Sequence, residues 1–263
     1  MLLHIFGTCS GTEPYPGRHH TAFAFEHGGR LYWFDAGEGC AYTAHTMGVD
    51  LTRLRKVVIS HPHMDHVGGL GNLFWTVRKL AGMGFAPRSR EIDLFVPDLR
   101  CWEGALLTLS TAWESFGTHF TVCARKYADG PLFEDEDFRV TALHNRHMPH
   151  DEGTPWRSFG FLIECSEPKA RTEKRVVYSG DTKSVEDFAP LMGGCDLLLM
   201  ESGHHHPPQV ARELLARGIF PGTLAFLHHG RDILDRYDEQ VQALDAIAPG
   251  RWRILEDATT LEV

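Results

Sequence analysis

No two cysteines are spaced as a Cys-x-x-Cys pair; Cys9, Cys40, Cys101, Cys123, Cys165 and Cys195 are scattered over the 263 residues. A closed, thiolate-built structural zinc site is therefore not expected. In a chain this long, isolated cysteines are expected to be buried thiols rather than disulfides. The sequence also lacks an apolar run long enough to cross a bilayer, and no basic N-terminal segment leads into one. No membrane partner is expected, and the protein reads as cytoplasmic. Positive charge is short: 35 Asp and Glu stand against 26 Lys and Arg, for a net charge of -9, with no long basic run. Large nucleic-acid partners need clustered Lys and Arg. Nucleic acid is therefore not the expected partner. Linkers, repeats and low-complexity tracts are missing too, so residues 1–263 read as a single domain, large enough to bury a good core.

What the chain does have is histidine, 17 in all, and the densest group is Ser60-His61-Pro62-His63-Met64-Asp65-His66. The β-branched run Arg55–Ile59 before it reads as a buried strand, and Val67–Leu80 after it carries apolar residues at helical spacing. The motif thus sits on a strand-to-helix turn, where open α/β sheets present their chemistry. Ligands at i and i+2 on an extended turn point the same way and can grip one cation. Asp65 and His66 come as the chain turns, and point to a neighbouring spot. Imidazole and carboxylate suit Zn, Mn or Fe.

Strands are expected at Leu2–Phe6, Thr21–Glu26, Arg30–Phe34, Glu91–Val96, Phe120–Arg125, Phe138–Leu143, Phe159–Glu164, Arg175–Ser179, Asp196–Met200 and Thr223–Leu227. Helices are expected at Cys40–Gly48, Leu99–Phe116, Val185–Met192, Gln209–Arg217 and Glu239–Ile247. Residues 133–137, an acidic run, read as a solvated turn, and 166–174 as a polar loop. Hairpins come early and strand–helix–strand crossovers late, which makes the chain α/β. Asp35, at the end of an apolar strand and followed by Ala36-Gly37, reads either as a helix N-cap or as a carboxylate orienting a metal ligand from behind.

His61-x-His63-x-Asp65-His66 resembles the signature of the metallo-β-lactamase superfamily, and the rest of the chain is similar to its ribonuclease Z-like hydrolases. The resemblance implies a four-layer αββα sandwich holding two divalent ions, with Zn expected and Mn or Fe as options. Of His144, His147 and His150, it selects His147, followed by Met148-Pro149, with His150 as the other choice. It makes Asp181 of Gly180-Asp181-Thr182 the bridging carboxylate. His228, directly after the strand Ala225-Phe226-Leu227, becomes the last ligand. His61, His63 and His147 would hold one ion, and Asp65, His66 and His228 the other. The stretch Glu201-Ser202-Gly203-His204-His205-His206-Pro207-Pro208 precedes a helix, a place that favours anions. There the resemblance implies a histidine at the scissile phosphate, His204 by direct counting or His206 by distance to the helix, as a general acid. Asp65 could also orient the attacking hydroxide. The function read from this is hydrolysis of a phosphodiester in a small-molecule ester substrate, with a homodimer allowed. The alternatives are tRNA 3′-end processing, as by ribonuclease Z, and lactone or thioester hydrolysis.

Overall fold

Strands form where β-branched and aromatic residues line up, and the early chain supplies three in quick succession. In the computed structural model, which describes residues 1–85, 87–110, 119–167 and 172–263, these are β1 (Leu2–Gly7), β2 (Ala22–His27) and β3 (Arg30–Phe34). Gly28 and Gly29 both take positive φ in the β2–β3 turn, a conformation that L side chains disfavour. There follow α1 (Cys40–Thr46), β4 (Leu54–Val58), α2 (Met64–Val67), α3 (Leu70–Gly82), β5 (Glu91–Val96), α4 (Arg100–Leu109) and β6 (Thr121–Lys126). Next come β7 (Gly130–Glu134), β8 (Phe138–His144), β9 (Phe159–Glu167), β10 (Thr172–Tyr178) and β11 (Leu197–Ser202). The chain continues through α5 (Pro207–Ala216), β12 (Thr223–His229), α6 (Arg231–Asp235), α7 (Tyr237–Ile247), β13 (Trp252–Ile254) and β14 (Thr259–Glu262).

These elements group into two compact units, Met1–Tyr127 with Glu256–Val263, and Ala128–Leu255. The first holds a seven-stranded sheet in the order β14-β1-β2-β3-β4-β5-β6, antiparallel as far as β3 and parallel from β3 to β6. Its helices bury Ala41, Ala44, Leu70, Leu73, Phe74 and Val77 against Ala22, Ala24, Leu31, Trp33 and Val57. The alternate residues Phe23, Phe25 and Phe34 are buried too and pack as a ring cluster with centroids 5.4–5.9 Å apart. The second unit repeats the plan without any sequence repeat: β13-β12-β11-β10-β9-β8-β7, antiparallel from β7 to β10 and parallel from β10 to β13. There Val210, Ala211, Leu214 and Leu244 of α5 and α7 pack on Val177, Leu198, Met200, Leu224 and Phe226.

Several elements depart from the sequence reading. The helix expected over Val67–Leu80 begins at Leu70, and the separate short α2 precedes it across Gly68-Gly69; that junction is close-packed, since a Cβ on Gly69 would lie 2.3 Å from the Gly37 carbonyl oxygen. Part of the acidic 133–137 run belongs to β7, an edge strand, which tolerates Pro131 opposite Thr141. Two short 3-10 turns, Val185–Asp187 and Ala189–Leu191, replace the helix expected over Val185–Met192. The polar loop is narrower than 166–174, since β9 and β10 extend into it, and 168–171 lie outside the described residues. Of the helix expected over Leu99–Phe116, α4 accounts for Arg100–Leu109; residues 111–118 are likewise outside them.

In each unit the parallel strands end at candidate site residues. Asp35 follows β3, Ser60-His61 follow β4, Gly180-Asp181 follow β10, and Glu201 and His228 close β11 and β12. Ligands in open α/β sheets bind at these carboxyl ends. Gly180 shows how tightly one of the turns is built. Its φ is 55°, and a Cβ there would lie 2.3 Å from the Phe159 carbonyl oxygen. Gly180→Ala is expected to destabilise the protein by about 2 kcal/mol or more, the left-handed backbone alone accounting for roughly 1–2. Urea denaturation checks this; a loss below about 0.5 kcal/mol would mean that the turn relaxes freely.

Candidate metal centre

In the first unit the site is built outward from Asp35. This residue is fully buried and held at φ 52°, a left-handed conformation that a non-glycine residue adopts only when its surroundings demand it. The demand is visible. Its Oδ1 accepts from the Ser60 amide at 2.6 Å, and its Oδ2 accepts from Ser60 Oγ at 2.8 Å and from His66 Nδ1 at 2.8 Å. Backbone bonds stitch the same segment to α2, from Ala36 N to His66 O and from Gly69 N to Ala36 O, both 2.7 Å. A carboxylate can only accept, so His66 carries its proton on Nδ1 and turns Nε2 away from Asp35. That nitrogen lies 3.4 Å from Asp65 Oδ2. Of the two roles open to Asp35 on sequence, the structure shows the one behind a histidine; no side-chain cap is recorded at α1.

His61, fully buried, donates from Nδ1 to Ser60 Oγ (3.1 Å), whose own proton goes to Asp35, and turns Nε2 to within 3.0 Å of His63 Nδ1. Two ring nitrogens facing each other at that distance must share a proton or a cation. Asp65 is nearly buried under the glycine-rich loop after β1; a Cβ on Gly11 would lie 2.9 Å from its carboxylate. Tyr127 donates its hydroxyl to the Ile59 carbonyl at 2.6 Å, fixing the end of β4 from which the motif departs.

The second unit centres on Asp181, 2% exposed. Its Oδ2 faces three imidazoles: His228 Nε2 at 3.3 Å, His147 Nε2 at 3.7 Å and His204 Nδ1 at 3.9 Å. His147, Asp181 and His204 form one group whose donor atoms lie within 4.8 Å of one another; Glu201, His204 and His228 form a second. His228 is held at φ 53°, the same strained region as Asp35. Glu201 is the residue that sequence reasoning left without a role. Fully buried at the end of β11, it accepts from the His204 amide at 2.9 Å and from His204 Nδ1 at 3.1 Å, with His228 Nδ1 at 3.7 Å. Burial pushes the Glu201 carboxyl up, but the bonds from His204 and the nearby His228 ring outweigh it and hold the group below the usual carboxylate range. The bond to Glu201 raises His204 above the ordinary imidazole range against an opposing effect of burial. The signal was available: a carboxylate ending a strand as apolar as Leu197–Met200 needs a partner.

The structure separates the remaining histidines from these groups. Asn145 Oδ1 accepts from the His147 amide at 3.2 Å, which fixes that residue's place in the turn after β8. His144 bonds Asp129 instead, and His150 bonds the Thr154 carbonyl. His206 is not brought to Asp181; its Nδ1 contacts Asp232 of α6, and His205 reaches the Thr182 carbonyl at 3.0 Å. The donor sets that do assemble are imidazoles and carboxylates without sulfur, which fit divalent transition-metal ions.

Residues 1–198 match the family described as "Anti-Pycsar protein Apyc1". The chain belongs to this Apyc1 family. Among curated relatives, the ribonuclease Z of Pyrobaculum neutrophilum is 29% identical, covering 100% of this chain and 99% of its own. Among solved structures, the metallo-β-lactamase fold protein YhfI from Bacillus subtilis aligns with a TM-score of 0.71 at 20% identity, over 99% of both chains. The short form of human tRNase Z aligns with a TM-score of 0.68 at 21% identity, over 100% of this chain and 99% of that one. This member of the Apyc1 family is thus a ribonuclease Z-like protein of the metallo-β-lactamase superfamily, with the α/β, αββα-class fold expected from its motifs. It is a metal-dependent, phosphodiesterase-like hydrolase, and its clustered His and Asp side chains could hold divalent ions.

One expectation is corrected. A small-molecule ester substrate, with nucleic acid set aside, does not agree with curated relatives that are ribonucleases by name. That expectation came from the net charge of -9 and the lack of a long basic run. Net charge is a whole-chain average, whereas phosphate binding at a metal centre is local. No described helix is long and apolar enough to cross a membrane.

Proposed function

We propose that this chain, acting as one hydrolase domain over residues 1–263, is an RNA phosphodiesterase of the ribonuclease Z kind that trims the 3′ end of precursor tRNA. The observation that carries the reading is Asp181, a buried carboxylate set among His147, His204 and His228, in a chain similar to a ribonuclease Z along its whole length. In this proposal His61, His63 and His147 would hold one zinc ion, Asp65, His66 and His228 would hold another, and Asp181 would serve both. When bound, such a pair supplies a water of lowered pKa and neutralises charge on the phosphodiester. The chain's own residues do the rest. Asp35 keeps the proton of His66 on Nδ1, and Asp65 accepts a hydrogen bond from the attacking water, orienting it. His204 has an accessible ring anchored by Glu201; it hands a proton to the leaving oxygen. His206, paired with Asp232, has no part in this scheme.

The test is cleavage of a 3′-extended precursor tRNA by metal-loaded protein, with the new ends mapped. Cutting at one position, lost with a chelator, is the expected result. Turnover of bis-p-nitrophenyl phosphate without any cutting of the precursor would sink the tRNA reading. Elemental analysis should find about two zinc ions per chain.

A further inference from the structure

The loop that carries His147 is longer than its task requires. It is the hairpin loop between β8 and β9, closed where the Asn145 amide donates to the Ser158 carbonyl at 2.9 Å. Around that closure the chain builds a stack of three rings, one from the end of β8 and two from the loop. Trp156 lies flat on His144, with centroids 4.2 Å apart, and flat on His150, 3.7 Å apart, both at 14° between planes. Both outer rings are pinned at their edges. His144 Nδ1 bonds Asp129 at 2.6 Å, and His150 Nε2 bonds the Thr154 carbonyl at 2.8 Å. A tight turn supports the latter, with the Thr154 amide and hydroxyl both bonded to the Asp151 carbonyl.

His150 is exposed, and its imidazole lies flat against Trp156 on one side. Its orientation is fixed before any ligand arrives, which removes the ordering cost of binding. The turn beside it carries Asp151 and Glu152, both exposed. Those carboxylates repel phosphate, so a ligand that suits this ring face offers an uncharged flat surface. Unstacked nucleobases are recognised on such platforms.

We propose that the His144–Trp156–His150 stack is a nucleobase subsite: His150 stacks on a base of the substrate, and Trp156 and His144 hold it in place. The inference deepens the reading of RNA as substrate and rests on it. His150, once the other choice for a metal ligand, becomes a specificity-determining residue.

The test is titration calorimetry on the metal-loaded full chain with adenosine 5′-monophosphate and with ribose 5-phosphate, which lacks the base. One stacked base is expected to tighten binding by about tenfold or more. His150→Ala should bring the nucleotide down to the affinity of the sugar phosphate, whereas His150→Phe, which keeps a flat ring, should preserve the preference. Equal affinities in the unmodified protein would overturn the proposal. So would a preference that survives His150→Ala, which would mark the stack as a staple of the loop only. The outcome is separable from the proposed function, because a nucleotide preference without cleavage of precursor tRNA would remove the ribonuclease reading and leave the subsite standing.

Discussion

Asp181→Asn is expected to lower phosphodiester hydrolysis by roughly 10³-fold or more, a loss of about 4 kcal/mol in transition-state stabilisation, while the metal-free protein stays folded. The substitution preserves volume and removes only charge. That charge is 2% exposed and lies 3.3–3.9 Å from three imidazole nitrogens. A buried carboxylate is expensive to desolvate, and attraction to its partners often does no more than offset that cost. A neutral amide in its place should therefore change metal-free stability little. What it cannot do is draw cations into the group. Bound metal at about 1,000 times its dissociation constant stabilises a fold by roughly 4 kcal/mol. The unmodified protein should melt several degrees higher with zinc than with chelator, and the variant should show almost none of that difference. Elemental analysis alongside the melting curves checks this. A variant that kept its metal and its activity would remove Asp181 from the centre.

The order of these elements was largely legible because the chemistry sits where apolar strands stop. His61-x-His63-x-Asp65-His66, Gly180-Asp181 and His228 each announce themselves by a polar residue at the end of a β-branched or leucine-rich run. What could not be read was the choice within a cluster. His144, His147 and His150 differ little in sequence context. They part company through Asp129, Asn145 and Thr154, contacts set by how the hairpin closes. His204 and His206 are parted by Glu201 and by Asp232. The latter stands in α6, a short helix with no periodic signal and 26 residues further on. Strand β7 escaped notice because Gly130 and Pro131 argue against a strand, except at a sheet edge. Charge misled for a different reason, since summing it over the chain says nothing about where a phosphate is gripped.

Asp35→Asn is the subtler substitution, and the sign of its effect follows from hydrogen-bond bookkeeping at one carboxylate. Asp35 Oδ1 takes the Ser60 amide at 2.6 Å, and that donor cannot turn away, because it belongs to the backbone leaving β4. In the variant the amide oxygen must occupy this position. The amide nitrogen then falls where Oδ2 stood, 2.8 Å from His66 Nδ1. It donates, so His66 must accept there and carry its proton on Nε2 instead. The nitrogen that turns toward Asp65 loses its lone pair and can no longer bind a cation. Asparagine tolerates the left-handed backbone at φ 52° about as well as aspartate does, so stability should stay within about 1 kcal/mol. Loss of a carboxylate behind a ligating histidine typically lowers metal affinity about 10–100-fold. With the wrong tautomer held in place, hydrolysis should fall roughly 10²–10³-fold. Asp35→Ala makes the contrast: it leaves the buried Ser60 amide without an acceptor and should destabilise the fold by about 1–3 kcal/mol. Nitrogen-15 NMR of the His66 ring reads the tautomer directly. If Asp35→Asn leaves the proton on Nδ1, with metal content and turnover unchanged, Asp35 does not set the state of His66.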